Sequence, residues 1–234
     1  MDGNKRKQDI LKVLIETFVH TGQPVGSMQV AEQLPYETSS ATVRNDMTEL
    51  TELGLLSQPH TSAGRIPTDL GYKTYVKVIA QERRELSKRQ QDVLTKHFQK
   101  LRNLQERYQA AAQMLAEMSG NVGLLMDDMQ NTYLSGLGNM VRLPEFNDEQ
   151  FGLKLVEALE RPKQFIKDMA QNTESDDVNV LIGDENPQMR KATIVVSNFG
   201  PKGRRMISII GPTRMDYNKN LPLVEYMKKI LNDL

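Results

Sequence analysis

Residues 39–54 read SSATVRNDMTELTELG, and the way this stretch divides into two sides decides the fold of the N-terminal third. Ser39 or Ser40 can cap a helix, because a hydroxyl there accepts from a backbone amide that has no partner within the helix. Gly54 offers the left-handed stop. Between them Val43, Met47, Leu50 and Leu53 recur at three- and four-residue spacing and share one side. The other side carries Ala41, Arg44, Asn45, Thr48 and Glu52. Turning the apolar stripe to a core therefore leaves a guanidinium and a carboxamide outside, near the start of the helix.

Upstream, Ile10, Leu11, Leu14, Ile15 and Phe18 form one apolar stripe of a helix over 6–19, which Gly22 and Pro24 stop. Ser27 is a suitable cap for a short helix from Met28 to Leu34, and Pro35 ends it. Two helices joined by so tight a connection have the layout of a helix-turn-helix, whose second helix places its N-terminal half in a major groove. The chemistry of the exposed side suits that task. Arginine can donate two bonds to guanine, asparagine can pair bidentately with adenine, and Ala41 can touch a thymine methyl. Ser39, Ser40, Thr42 and Thr48 add hydroxyls along the same segment.

Downstream, residues 55–59, the polar tip His60-Thr-Ser-Ala-Gly64 and the return Arg65-Ile-Pro67 predict a short β-hairpin, a wing. Pro59 and Pro67 fit strand ends, where a missing amide breaks no ladder bond. His60, Thr61, Ser62 and Arg65 would then meet phosphate or a minor groove and position the protein without reading sequence. Lys5, Arg6, Lys7, Arg44, Arg65, Lys73 and Lys77 must share one face for this to work. So few cations predict about three to five phosphate contacts per protomer, and hence binding as a homodimer.

Thr68 can cap a further helix with Tyr72, Tyr75, Val76 and Ile79 on its apolar side, and no glycine or proline interrupts it through Gln91. Leu94, Leu101, Tyr108 and Leu115 then recur every seven residues, with His97, Leu104, Ala111 and Met118 three places on. That is a heptad pattern, open to two readings: a long connecting helix pairing between protomers as a coiled coil, or an amphipathic helix lying on its own C-terminal domain. Beyond Gly120 strands are predicted over 121–126, 133–137, 178–182, 193–198 and 206–210. Helices are predicted over 149–159, 162–170 and 221–231. The fold class is α+β: a winged helix-turn-helix over 1–78, a connecting helix over 79–118, and an α/β domain with an antiparallel-rich sheet over 119–234.

Composition narrows the function. Among 234 residues, 38% hydrophobic and 26% charged with no net charge, no apolar run reaches the roughly 18 residues of a membrane span. The polar N-terminus lacks a signal-peptide core, which predicts a cytoplasmic address. Without cysteine there are no disulfides, thiolate catalysis or cysteine-bound zinc. His20, His60 and His97 lack metal-ligand spacing. No nucleophile–base motif or phosphate-binding loop stands out, so neither an enzyme nor a cofactor is expected. Asp127-Asp128 reads as a solvated turn, Gly136-Leu-Gly138 lacks the rest of a dinucleotide fingerprint, and Lys202-Gly-Arg-Arg205 fits a hairpin turn.

Longer motifs carry a resemblance. Thr21-Gly-Gln-Pro-Val-Gly-Ser27, residues 39–47, Glu52-Leu-Gly-Leu-Leu56 and residues 58–68 closely resemble the DNA-binding domain of the HrcA family, the heat-inducible transcription repressors of bacteria. Tyr133-Leu-Ser-Gly-Leu137, Pro144-Glu-Phe146, Ile182-Gly-Asp-Glu-Asn186, residues 210–217 and Pro222-Leu-Val-Glu-Tyr226 resemble its GAF-like C-terminal domain. The resemblance implies a repressor on an inverted-repeat operator in double-stranded DNA upstream of chaperone genes. It implies release on heat shock and a GroE chaperonin that favours the active form. It places the recognition helix on Ser39 to Leu53 and the wing on Gln58 to Thr68. In the family a long segment with an inserted dimerisation domain precedes the motif matched by residues 133–137; here only Met126 to Thr132 remains, so the chain resembles a shortened member with a reduced GAF-like domain. A different function, in which the C-terminal domain is a small-molecule- or chaperone-sensing module carrying the main activity, is the alternative.

Overall fold

The computed structural model describes residues 3–82, 84–129, 131–144, 177–185 and 192–233, and the chain divides into two compact units, Met1–Glu82 and Arg83–Leu234. The helices expected over 149–159 and 162–170 lie outside the described residues.

In the first unit, α1 (Gly3–Thr21) buries Ile10, Leu11, Leu14 and Ile15. α2 (Ser27–Gln33) starts one residue earlier than expected: its cap is Gly26, with no side-chain bond, and Ser27 is its first helical residue. α3 (Ser40–Glu52) is capped by Ser39, whose oxygen accepts from the Thr42 amide at 3.0 Å. Gly54, at φ +74°, ends it, and the Leu55 amide donates to the Leu50 carbonyl. Val43, Met47 and Leu50 are buried as expected, whereas Leu53 is 61% exposed. It sits at the cap, where the chain leaves the helix and the side-to-side rule lapses.

The wing consists of β1 (Leu56–Ser57) and β2 (Ile66–Pro67), antiparallel, with Leu56 opposite Pro67 and Ser57 opposite Ile66. A feature the sequence hid is a third, single-residue strand: Val25 and Arg65 exchange both backbone bonds at 2.9 Å. Close approach at this bridge requires Gly64, since a Cβ there would lie 2.3 Å from the Val25 carbonyl oxygen. α4 (Asp69–Gln81) follows, capped by Thr68, whose hydroxyl also donates to the Gly54 carbonyl at 2.6 Å. Tyr72, Tyr75 and Ile79 are buried along it.

The expected single rod over 79–118 is instead broken twice. α4 ends at Gln81, α5 spans Lys88–Gln99 and α6 spans Leu104–Ser119. The reason is capping rather than glycine or proline. Ser87 and Gln90 form a reciprocal capping box, and Asn103 accepts from the Glu106 amide at 2.8 Å, so each starts a new helix. The coiled-coil expectation falls with the rod. Leu94, Tyr108, Ala111 and Leu115 are buried within this chain, while Leu104 is 43% exposed and His97 is exposed.

In the second unit, α6 packs against β3 (Val122–Met126) and β4 (Thr132–Ser135). The sheet is completed by β5 (Asn179–Leu181), β6 (Ala192–Phe199) and β7 (Arg205–Pro212), in the order β4-β3-β7-β6-β5. Every neighbouring pair is antiparallel. One face carries Val122, Leu124, Ile194, Val196, Met206 and Ile210, with Met140 of α7 (Leu137–Val141) among them. On α8 (Tyr217–Asn232), Leu223, Val224, Met227 and Leu231 are buried, and the helix packs on β6 and β7. It begins four residues earlier than expected: Asp216 accepts from the Lys219 amide as its cap, and Pro222 lies buried inside the helix.

The Asp127-Asp128 turn also differs from expectation. Asp127 is buried, accepting from the backbone and side-chain nitrogens of Asn131 at 2.8 and 2.7 Å, and so closes the β3–β4 hairpin. Tyr133, whose hydroxyl reaches the same carboxylate, is shifted upward by burial and then by that negative charge. Lys202, at φ +61°, lies in the turn between β6 and β7, where Lys202-Gly-Arg-Arg205 was expected to form one.

Candidate nucleic-acid interface

The two sides of α3 differ in chemistry as the residue pattern demands. Its buried side holds Val43, Met47 and Leu50, and its outer side exposes Ser40, Ala41, Arg44, Asn45 and Thr48. Among the described residues, neither the Arg44 nor the Asn45 side chain is held by a hydrogen bond or ion pair. Both heads are therefore available to a ligand, at the end of the helix where the partial positive charge of aligned peptide dipoles also favours an anion. Ser39 is exposed and its hydroxyl meets that of Thr42 at 2.8 Å, while the Thr48 hydroxyl donates to the Arg44 carbonyl at 3.0 Å. Those three hydroxyls have local structural roles.

α3 also carries acids that would repel phosphate, and the fold neutralises two of them. Asp46 is buried and receives two bonds from Arg6 of α1, Nε to Oδ2 at 2.6 Å and Nη2 to Oδ1 at 3.1 Å. The Arg6 guanidinium is raised above its ordinary range, chiefly by that hydrogen bond. Lys7 pairs with Glu49 on the same seam. Tyr36, in the turn before α3, donates to Asp9 of α1 at 3.2 Å. Burial, and then the Asp9 charge, pushes its phenol up to about 12.

These contacts correct the expectation of one shared cationic face. Arg6 and Lys7 are turned to α3, and the Arg65 Nε donates to Thr51 of α3 at 3.1 Å with the residue half-buried. Lys5 and Lys77 are exposed. The physical reason is that α1 crosses α3 beside its acidic residues, which one sequence gives no means of foreseeing.

At the wing tip His60, Thr61 and Ser62 are exposed, as expected. What shapes the tip is Gln58, which sequence reasoning overlooked: its Nε2 donates to the carbonyls of Thr61 and Ala63, both at 3.0 Å. No spacing rule marks such a residue. Among the described residues no cluster of three or more metal-ligating side chains occurs, and no helix is long and apolar enough to cross a membrane.

A family model described as "Winged helix-turn-helix transcription repressor, HrcA DNA-binding" matches residues 4–81, and one described as "HrcA protein C terminal domain" matches residues 68–221. The chain belongs to the HrcA family. Its relatives include the heat-inducible transcription repressor HrcA of Natranaerobius thermophilus, 27% identical over 339 aligned positions that cover 100% of this chain and 96% of that one. The HrcA of Desulfitobacterium hafniense is 26% identical, with 100% and 98% covered. That of Symbiobacterium thermophilum is 43% identical over 113 residues, 48% of this chain and 33% of its own. Because 339 positions are aligned against 234 residues, more than a hundred HrcA positions have no counterpart here. The chain is thus a short member of the family. A solved structure titled "Crystal structure of a hypothetical protein at 2.2 A resolution" shares the fold, at TM-score 0.78 and 17% identity over 97% of this chain and 96% of that one.

Proposed function

We propose that this chain is a heat-inducible repressor that binds an inverted-repeat operator in double-stranded DNA as a homodimer, reading bases with Arg44 and Asn45. The observation that carries the proposal is the outward, unengaged placement of those two side chains on the second helix of a helix-turn-helix. The exposed Ala41 meets a thymine methyl in this reading. Ser39, Ser40, Thr42 and Thr48 flank the groove, and His60, Thr61, Ser62 and Arg65 of the wing contact backbone or minor groove. Dimeric action follows from the small number of uncommitted cations, since one protomer neutralises too few phosphates for tight binding. The family resemblance supports chaperone genes as the targets, a cytoplasmic setting and a GroE chaperonin as the partner that favours the repressing form.

The test is a binding titration on duplexes from the chain's own chaperone promoters against random duplexes of equal length, with footprinting. Preference for one promoter segment, and protection of two symmetric half-sites, is the expected result. Equal retention of both DNAs refutes the proposal.

A further inference from the structure

Resting on that reading, we infer that the Arg6–Asp46 ion pair is a positioning device for the recognition helix: it sets the roll of α3 that aims Arg44 and Asn45, and Arg6 makes no phosphate contact. Both bonds of the pair run from the same planar guanidinium to the two oxygens of one carboxylate, 2.6 and 3.1 Å long. Such a fork fixes orientation as well as distance, which a single lysine bond does not. The Asp46 side chain is only 3% exposed and that of Arg6 28%, so the carboxylate is shielded from water while the guanidinium keeps an exposed edge, and salt loosens the pair less than a fully exposed one.

Helical geometry links this pair to the exposed face. At 3.6 residues per turn each residue advances about 100°, so Asp46 lies about 100° from Asn45 and about 200° from Arg44. Holding Asp46 against α1 therefore leaves Arg44 nearly opposite that contact and Asn45 on the flank between, both exposed. Lys7 repeats the constraint at Glu49, three residues along the same flank, and Tyr36 to Asp9 ties the preceding turn to the same helix. α1 thus grips α3 and its approach through polar contacts of defined geometry, in addition to the apolar packing of Val43, Met47 and Leu50.

Losing one partner of the pair leaves an uncompensated charge, which lowers stability and, where Asp46 is the one left, adds repulsion of phosphate; only removal of both charges together isolates the effect on orientation.

The experiment uses full-length protein carrying Arg6→Gln, Asp46→Asn, or both, titrated on the operator preferred by the wild type and on a random duplex across a salt series. Each single variant is expected to lower the operator-over-random ratio about tenfold, with the double no worse than either single and, since the double removes one charge of each sign, its salt slope unchanged. The double variant weakening both DNAs equally and reducing the slope by about one, the signature of a lost phosphate contact, overturns the inference. So does an unmoved ratio. Should the variants not fold, the Arg6 Nε–H resonance of the wild type decides: it is expected to keep its Asp46-bonded position when operator is added, and a move to a phosphate partner overturns the inference. A wild type without operator preference would instead refute the function on which the inference rests.

Discussion

The side-chain amide of Gln58 donates to the Thr61 carbonyl across the wing tip, and a second bond from the same nitrogen reaches Ala63. An exposed loop of small polar residues is thereby held to one shape from a strand end. Gln58→Ala should remove both bonds and loosen His60, Thr61 and Ser62. Global stability should drop by no more than about 1 kcal/mol, since such exposed bonds contribute little net, while DNA affinity falls several-fold. Parallel urea unfolding and DNA titration check this; unchanged affinity would mean the tip makes no contact.

Arg44→Ala and Asn45→Ala should leave the unfolding midpoint within about 0.5 kcal/mol of wild type, because both side chains are exposed and unengaged. Operator binding should weaken by about 1–3 kcal/mol per substitution, with random-DNA binding less affected. Competition titrations with single-base operator variants would show discrimination relaxing at one position for each residue.

Gly64→Ala drives a methyl group to within 2.3 Å of the Val25 carbonyl oxygen, which is backbone and cannot swing aside. The Val25–Arg65 bridge should open and carry the wing with it. A loss of about 1–3 kcal/mol is expected from strain of this kind, read by urea unfolding, with faster amide exchange at Val25 and Arg65.

Tyr36 gives the first unit a pH dependence on the alkaline side. Its folded pKa, about 12, exceeds the ordinary 10.0, so the folded state holds a proton that the unfolded chain gives up first. The corresponding stabilisation is complete below about pH 10 and is lost as pH rises through the folded value. Tyr36→Phe should flatten that decline; an identical profile from pH 9 to 12 in both proteins would show that Tyr36 does not cause it.

What was legible in the sequence follows from which interactions are local. Ser39, Gly54 and Thr68 act on backbone a few residues away, and α3 and the wing hairpin were found where those residues put them. The exposed positions of Arg44 and Asn45 followed from helical period alone. The Arg6–Asp46 pair joins residues forty positions apart, and the Val25–Arg65 bridge likewise joins distant segments, so neither leaves a local trace. Ser87 and Asn103 are a different case. Their caps are local and visible, but uninterrupted helix formers between them obscured the two breaks.

Those breaks decide how Leu115 acts. In a coiled coil its substitution would chiefly weaken association, since an a or d side chain is buried only by the partner helix. Here it is fully buried on α6, against the sheet of its own chain; a Cβ added at Gly123 of β3 would lie 2.9 Å from its Cβ. Leu115→Ala should therefore destabilise folding by about 2–5 kcal/mol, the range for truncating a core leucine. The mass in solution should equal that of the wild type at the same concentration. Urea unfolding and sedimentation velocity on one preparation separate the two cases: a fall in mass with little change in unfolding would restore the intermolecular seam and remove Leu115 from the core.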